Sequence, residues 1–277
     1  MDLALLVLLA LFVPLPPPVC YNKPAMPTDN KNRFSSRVEN YTRYRPSYPA
    51  GYIDYLITEI GFSPESVVAD IGAGTGILSK LLAPRVKTVL AVEPNAEMRL
   101  AAAEYCNDTG NIVIIDGSAE ATSLADSSVD FITAGQAFHW FDIEDSRKEF
   151  LRILKPGGRV ALVWNTRDIT TPFGREYEAL VKQTCLKYLG SGGGSSESLA
   201  YRMFFKSGEY NYRVFPNDRR VDLETLIGYS LSTSYAPVKG DRNFSGFVEK
   251  LVALYDKYAV NGSLSMPAAT HSYVGEI

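Results

Sequence analysis

The chain has 277 residues, 46% of them hydrophobic and 21% charged, with a formal net charge of -3. This length suffices for one large globular domain or two small ones, and the composition is ordinary for a soluble protein. The slightly negative charge argues against nucleic acid as a partner, and three cysteines with two histidines argue against a disulfide framework and a histidine-rich metal centre. We therefore predict no metal site and expect reduced thiols in a cytoplasmic protein.

The chain begins with an apolar run at residues 3–13, followed by a proline-rich stretch. The run is too short to span a bilayer, and it lacks the basic start and small-residue cleavage site of a secretory signal. Three interpretations stay open: a poor signal or anchor, a degenerate targeting segment, or upstream sequence joined to a chain that starts near Met26. We predict an N-terminal extension over residues 1–31 and no stable membrane span.

A segment dense in tyrosine and arginine covers residues 34–49, and its prolines rule out a long helix. One interpretation is a surface segment that packs aromatic rings onto the domain. The other is a cap in which Tyr41, Arg43 or Arg45 closes over a ligand, since the planar arginine fork can hold a carboxylate through two bonds. The helix that follows is expected to end at Gly61.

The most informative stretch covers residues 67–76, where a β-branched apolar run reaches Asp70 and then turns through Gly72, Gly74 and Gly76. An amphipathic helix follows directly. Glycines at alternate positions let the backbone approach a ligand closely, because no Cβ stands in the way. This order of strand, tight loop and helix predicts the opening of a nucleotide-binding α/β unit.

Further apolar runs alternate with helical patterns along the next hundred or so residues, which predicts a doubly wound parallel sheet. Asn95 is expected to cap one of these helices, and turn residues stop another before the fifth strand. The strands are predicted at residues 88–93, 112–115, 129–134 and 159–164, and the helices between them at 96–106 and 143–154.

The remaining chain is less regular and contains a Gly/Ser loop at residues 190–196. Too little chain follows this loop to form a separate core, so we predict one domain over residues 32–277, with its core at about 50–167 and a cap with the final strands at 168–277. The patterns in this part predict helices at residues 174–188, 223–231 and 243–258 and strands at 210–214 and 270–274.

Two nucleotide-binding interpretations compete. A dinucleotide dehydrogenase requires the third glycine one residue later than Gly76. Here Asp70 precedes the loop and Glu93 ends the next strand, at the same edge of the sheet, where a carboxylate can accept bonds from both hydroxyls of a ribose. An NAD-type oxidoreductase stays as the disfavoured alternative.

The glycine run, together with three later motifs, resembles a class I S-adenosylmethionine-dependent methyltransferase. The resemblance implies an α/β Rossmann-like fold with a mostly parallel seven-stranded sheet and a C-terminal cap, and S-adenosyl-L-methionine as the cofactor. The later motifs are Glu93-Pro94, Gly117-Ser118-Ala119-Glu120 and Leu154-Lys155-Pro156-Gly157-Gly158.

Residues 44–49 and 136–142 narrow the resemblance to the type-11 branch, near the trans-aconitate methyltransferase-like proteins. The similarity extends from about residue 32 to the end of the chain. It implies a small-molecule methyl acceptor, with a carboxylate or hydroxyl oxygen favoured. A non-catalytic protein that binds the same cofactor is the second alternative, and the sequence predicts no oligomeric state.

The resemblance also implies cofactor-binding residues. It places the glycine loop at the methionine part, Asp70 at the amino group and Glu93 at the ribose. The family commonly has aspartate where this chain has Ser118, and Asp116 is a candidate substitute. The residues implied to bind the cofactor are Asp70, Gly72, Ala73, Gly74, Gly76, Glu93, Pro94, Met98, Ser118, Ala119, Glu120 and Gln136.

The acceptor side is predicted from chemistry alone. His139 is a candidate general base for a hydroxyl or amine acceptor, or else a structural histidine, and a carboxylate acceptor needs no base at neutral pH. Aromatic rings at the end of the fourth strand could stabilise a sulfonium through cation–π attraction, or simply belong to the core. The candidate substrate-pocket residues are Tyr41, Arg43, Arg45, Trp140, Trp164, Asn165 and Arg167.

Overall fold

The computed structural model describes residues 38–185, 187–188 and 199–277. These residues belong to one compact unit, Lys31–Ile277. The predictions for the N-terminal extension and for Met26 lie outside the described residues, as does the Gly/Ser loop. Among the described residues, no helix is both long and apolar enough to cross a bilayer.

A seven-stranded sheet forms the centre of the unit. Its central strands are apolar and mostly buried between helices, as expected for a parallel sheet, whereas its two edge strands are more exposed. The strands are β1 (Val67–Ile71), β2 (Thr88–Glu93), β3 (Ile112–Asp116), β4 (Val129–Gly135), β5 (Leu154–Arg167), β6 (Asn211–Pro216) and β9 (Ala268–Gly275), with β7 (Arg219–Val221) and β8 (Leu264–Met266) forming a separate two-stranded sheet.

The strand order of the large sheet is β3-β2-β1-β4-β5-β9-β6. Strands β1 to β5 pair in parallel, whereas β9 runs antiparallel between β5 and β6. The predicted α/β fold with a mostly parallel seven-stranded sheet is therefore confirmed. The carboxyl ends of β1, β2 and β4 meet at one edge, which is where such sheets bind their ligands.

The helices cover both faces of this sheet and form the cap. Asn95 accepts the backbone N–H of Met98 at 2.8 Å and caps its helix as predicted. The helices are α1 (Val38–Tyr44), α2 (Ala50–Tyr55), α3 (Ile77–Leu82), α4 (Ala96–Tyr105), α5 (Ile143–Ile153), α6 (Pro172–Thr184), α7 (Leu199–Phe204), α8 (Leu223–Leu231) and α9 (Phe244–Tyr258).

Strand β5 begins earlier than the sequence predicts. The turn chemistry at residues 155–158 suggested that the strand starts only afterwards. Instead Leu154 already pairs with Val129, and the register shifts before Arg159 pairs with Phe131. The Pro-Gly-Gly sequence therefore forms an irregularity within the strand rather than a turn before it. Glycine permits this irregularity, because Gly157 adopts a φ of +80° that other residues avoid.

The predicted boundaries of α6 were also wrong. The helix was expected from Gly174 to Tyr188 but runs from Pro172 to Thr184. Thr171 Oγ1 accepts the N–H of Gly174 at 3.1 Å and thereby starts the helix before that glycine.

The cap contains its own hydrophobic cluster. It joins α6, α8 and α9 to the small β7/β8 sheet, with Tyr177, Leu226 and Phe247 almost fully buried. The sequence argument that too little chain follows the Gly/Ser loop to build a separate core missed this cluster. Helix α6 precedes the loop, and its residues complete the cluster from the other side.

Candidate functional site

The loop between β1 and α3 is the most constrained backbone at the ligand edge of the sheet. Gly72 has a φ of +69° and Gly76 a φ of +82°, both in the left-handed region. A Cβ on Gly72 would lie 2.6 Å from the Cβ of Ala137, and one on Gly76 would lie 2.8 Å from Cys106 Sγ. The loop therefore requires glycine for both conformation and space.

Asp70 lies beneath this loop and is only 1% exposed. Ser79 Oγ donates to one carboxylate oxygen at 2.6 Å, and Thr133 Oγ1 donates to the other at 3.0 Å. Burial raises the pKa of Asp70 to about 6, although these two hydrogen bonds oppose the shift. Each oxygen keeps a further lone pair, so the carboxylate can still accept a bond from a ligand.

The raised pKa of Asp70 gives a pH-dependence with a definite sign. Its folded-state pKa lies above the ordinary value of 3.8, so the folded protein favours the protonated form. Protonated Asp70 therefore contributes stability to the folded protein, and this contribution is complete below about pH 4. About 3 kcal/mol of the unfolding free energy is lost as the pH rises from about 4 through about 6. We expect Asp70→Asn to remove that part of the slope of unfolding free energy against pH.

Urea unfolding between pH 4 and pH 8 measures this slope. Asp54→Asn is the matched control, because Asp54 is exposed on α2 and should leave the wild-type slope unchanged. A wild-type slope that survives in Asp70→Asn would show that Asp70 does not titrate as inferred.

Glu93 closes β2 and joins the glycine loop to the next helix. Its Oε2 accepts the N–H of Gly74 at 2.9 Å, and its Oε1 accepts the N–H of Asn95 at 2.9 Å. The residue is 8% exposed, and this burial raises its pKa, whereas the two backbone donors lower it. A buried carboxylate at this position also has lone pairs for ligand hydroxyls.

A cleft of about 430 Å³ opens over the glycine loop. One wall comes from α1 and the segment after it, and the other comes from β1, α3 and the end of β4. Thr75 is fully buried, and its hydroxyl has no hydrogen-bond partner among the described residues of the protein. The cleft therefore contains a buried polar group whose hydrogen bond a ligand could supply. The lining residues are Tyr41, Arg45, Pro46, Tyr48, Asp70, Gly72, Ala73, Thr75, Ile77, Leu78, Gly135 and Gln136.

Gln136 holds the end of β4 in an uncommon conformation, with a φ of +59°. Its backbone N–H donates to the Val163 carbonyl at 2.9 Å, and its Nε2 donates to the Asn165 carbonyl at 3.0 Å. A non-glycine residue with positive φ is characteristic of ligand sites, where the surroundings hold the strain. The contacts connect the cleft to β5.

A second cleft, of about 410 Å³, lies beyond Pro46, which lines both clefts. It is formed by the end of β5, the start of α6 and residues of the cap. Within it, Arg167 donates to the Tyr229 hydroxyl at 3.1 Å and pairs with Glu178 at 3.3 Å. Its lining residues are Pro46, Asn165, Thr166, Arg167, Asp168, Phe173, Gly174, Arg219, Tyr229, Met266, Pro267 and Ala268.

The two clefts bring together part of the predicted site. Of the predicted cofactor-binding residues, Asp70, Gly72, Ala73 and Gln136 line the first cleft. Of the predicted substrate residues, Tyr41 and Arg45 line the first, and Asn165 and Arg167 line the second.

Other predicted cofactor-binding residues lie near the same edge and have structural partners. Glu93 and Gly74 bond to each other, and Gly76 starts α3. Met98 is 3% exposed within α4, next to the half-buried Pro94. Ser118, Ala119 and Glu120 form a turn in which Glu120 accepts the N–H of Asp142, and Asp116 pairs with Arg99.

His139 is not among the residues that line the two clefts. It is exposed on a short turn, with its ring 4.3 Å from that of Trp140 and 5.1 Å from that of Trp164. Trp164 is buried in the core, and Arg43 is an exposed residue that pairs with Glu224 at 2.8 Å. None of these predicted residues lines either described cleft.

Sequence reasoning missed several residues of the clefts. Thr75 lies inside the glycine motif, but the motif itself assigns no role to this residue. Tyr48 lies in the tyrosine- and arginine-rich segment, and no sequence pattern distinguishes it from the other tyrosines there. Arg219 and Tyr229 belong to parts of the chain that carry no motif, so only their position in the folded cap reveals them.

Comparisons with known proteins agree with this geometry. Residues 69–162 match the family model of a methyltransferase domain. A methyltransferase-like protein of Schizosaccharomyces pombe is 38% identical over 141 residues, which are 50% of this chain and 54% of the relative. A methyltransferase of Mycobacterium bovis is 40% identical over 148 residues, or 53% of this chain and 58% of the relative. The matched region thus spans a little over half the length of these curated relatives.

Solved structures share the fold. A type II methyltransferase from Anaeromyxobacter dehalogenans superposes with a TM-score of 0.60 at 21% identity, covering 84% of this chain and 98% of the other. A methyltransferase ascribed to an antibiotic biosynthesis pathway of Anabaena variabilis superposes with a TM-score of 0.57 at 21% identity, covering 84% and 98%.

Proposed function

From the class I S-adenosylmethionine-dependent methyltransferase domain that this chain carries at residues 69–162, we propose that the chain transfers a methyl group from S-adenosylmethionine to an oxygen of a small-molecule acceptor. The predicted resemblance to methyltransferases is confirmed for this domain, and the narrower likeness to trans-aconitate methyltransferases stays a prediction. The NAD-type alternative is disfavoured, since the classic dinucleotide-binding sheet has the strand order 3-2-1-4-5-6, whereas here β9 lies antiparallel between β5 and β6.

The residues of the first cleft fit this cofactor, together with Glu93, which lies outside the lining and bonds to the glycine loop. Asp70 supplies a carboxylate for a cationic amino group, and Glu93 supplies one for ribose hydroxyls. Gly72 and Ala73 bring the backbone of the glycine loop to the cleft, and the Thr75 hydroxyl supplies an unsatisfied buried polar group. The cofactor supplies a sulfonium methyl group, which carries the charge that makes it reactive.

The work of the protein is then to align the acceptor and exclude water. Tyr41, Arg45 and Tyr48 form the wall that covers the glycine loop. Burial raises the pKa of Tyr48 well above its ordinary value, so its hydroxyl stays protonated and acts as a donor rather than a base.

A carboxylate oxygen fits as the acceptor better than a hydroxyl. No histidine, lysine or cysteine is found among the described residues that line the two clefts, whereas Arg45, Arg167 and Arg219 are. A carboxylate is already ionised at neutral pH and requires no base, and arginine is the side chain suited to bind it. This composition of the clefts is the observation that carries the proposal.

Calorimetry with S-adenosylmethionine and S-adenosylhomocysteine tests the cofactor, and transfer of a labelled methyl group to a panel of carboxylic acids and phenols tests the acceptor. We expect binding of both cofactor forms and labelled ester from an acid. Absence of binding would contradict the proposal. Binding without any transfer would favour a non-catalytic cofactor-binding protein.

Replacing His139 with glutamine is expected to change the rate of methyl transfer by less than about ten-fold. A general base typically contributes a factor of 10² to 10⁴, and His139 is exposed and absent from the lining of both clefts. Steady-state kinetics against pH measure the effect, with Asp142→Asn at the neighbouring turn as the control for local disturbance. A loss above 100-fold together with the loss of one limb of the pH–rate profile would support His139 as the base.

A further inference from the structure

Three arginines converge on Tyr229 between the two clefts. Arg167 donates to its hydroxyl at 3.1 Å, and the guanidinium of Arg219 lies 4.9 Å from its ring centroid. Arg45 lies 6.0 Å from the same ring and 4.6 Å from that of Tyr41. We call Arg45, Arg167 and Arg219 the arginine cluster.

The positive charge of the arginine cluster is only partly balanced by acidic groups. Glu178 pairs with Arg167 at 3.3 Å, but it also pairs with Lys182 at 3.5 Å and accepts the Tyr188 hydroxyl. Asp168 lines the second cleft, where one of its oxygens accepts both the N–H and the hydroxyl of Thr170. The three positive charges of the arginine cluster therefore exceed the two negative charges of these acidic groups.

Buried donors in the cluster are also unsatisfied. The Nε atoms of Arg45 and of Arg167 are buried and have no hydrogen-bond partner. Burial lowers the pKa of Arg219, and the three arginines lower the pKa of Tyr229. Buried cations without sufficient counter-charge are unfavourable, and an anionic ligand removes that penalty.

The second cleft adds a further feature that favours an anion. The first turn of α6 lines it through Phe173 and Gly174, so the positive end of that helix dipole points to the cleft. Pro46 lines both clefts, so a molecule in the second cleft lies beside the cofactor cleft.

We propose that the second cleft binds an acidic group of the methyl acceptor other than the atom that is methylated, with Arg167 and Arg219 as its main contacts. The acceptor is then an organic acid with at least one further carboxylate or phosphate. This inference rests on the proposed methyl transfer. The second cleft would then act as a specificity site. It would select an acceptor by the charge of its second acidic group and by the distance of that group from the methylated oxygen.

Succinate and inorganic phosphate are the probes for this site. Each is titrated by calorimetry into the protein saturated with S-adenosylhomocysteine, at constant ionic strength. We expect at least one of them to bind, and Arg219→Gln to weaken that binding about ten-fold or more, because a charged hydrogen bond is lost. The probe that binds identifies the acid as carboxylate or phosphate.

Arg220→Gln is the matched control. Arg220 is the next residue of the same strand but is exposed and absent from the lining of the cleft. It should leave the affinity for the probe unchanged. Thermal unfolding of the wild type with each probe, against sodium chloride of equal ionic strength, gives a measurement that does not depend on how well a variant folds.

The outcomes separate the two proposals. If S-adenosylhomocysteine binds but neither probe binds nor stabilises the wild type, the acidic-group site is wrong while the cofactor site stands. Equal probe affinity in Arg219→Gln and Arg220→Gln also contradicts the site. If S-adenosylhomocysteine does not bind, the proposed function fails, whatever the probes do.

Discussion

Replacing Glu93 with alanine is expected to weaken the binding of S-adenosylhomocysteine by at least about 100-fold. The variant removes a carboxylate that holds the N–H groups of Gly74 and Asn95 and that faces the proposed ribose position. Hydrogen bonds to a charged group contribute about 1.5–3 kcal/mol each, so the loss of two or more exceeds the 2.7 kcal/mol of a 100-fold change. Calorimetry measures the effect.

The pair Glu93→Gln and Glu104→Gln sharpens this test. Glutamine keeps the shape of Glu93 but has only one acceptor oxygen, so we expect an affinity between those of the wild type and Glu93→Ala. Glu104 is exposed on α4, and its replacement should have no effect. An affinity of Glu93→Ala within about three-fold of the wild type would show that this carboxylate does not hold the cofactor.

Replacing Gly72 with alanine is expected to lower the free energy of unfolding by about 2–5 kcal/mol. A side chain at positive φ costs about 1–2 kcal/mol, and the new Cβ would lie 2.6 Å from that of Ala137. Overpacking of a tight site adds about 1–3 kcal/mol. Urea unfolding measures the loss, and cofactor binding should fall with it because the loop must move.

The control for this prediction is Gly246→Ala. Gly246 is exposed within α9, and a Cβ there meets no atom within 4 Å. Alanine favours the helix by about 0.8–1.0 kcal/mol relative to glycine, so this variant should be slightly more stable than the wild type. If Gly72→Ala is as stable as the wild type, the loop does not have the conformation described.

The two predictions differ in what each variant removes. Glu93→Ala takes away an acceptor of ligand bonds and the hydrogen bond to the Gly74 N–H, but it leaves the glycines themselves in place. Gly72→Ala changes the backbone beneath the ligand while both carboxylates remain. Comparing stability with affinity in the two variants therefore separates the binding role of the site from its structural role.

The sequence by itself determined the parts of this protein that depend on neighbours in the chain. The alternation of buried strands and helices predicted the parallel sheet, and the left-handed turns required by the glycine run predicted the loop over Asp70. Glu93 followed from the rule that parallel strands end at one edge. These features arise from local backbone preferences and from hydrophobic periodicity, which a short stretch of sequence already contains.

Only the tertiary structure decided the contacts between distant parts of the chain. It left His139 out of the lining of both clefts and brought Arg45, Arg167 and Arg219 to Tyr229, although no motif surrounds Arg219 or Tyr229. It also moved the start of β5 to Leu154 and gave the cap its own cluster. Such contacts depend on packing between elements that are many residues apart, and no local pattern encodes which side chains that packing brings together.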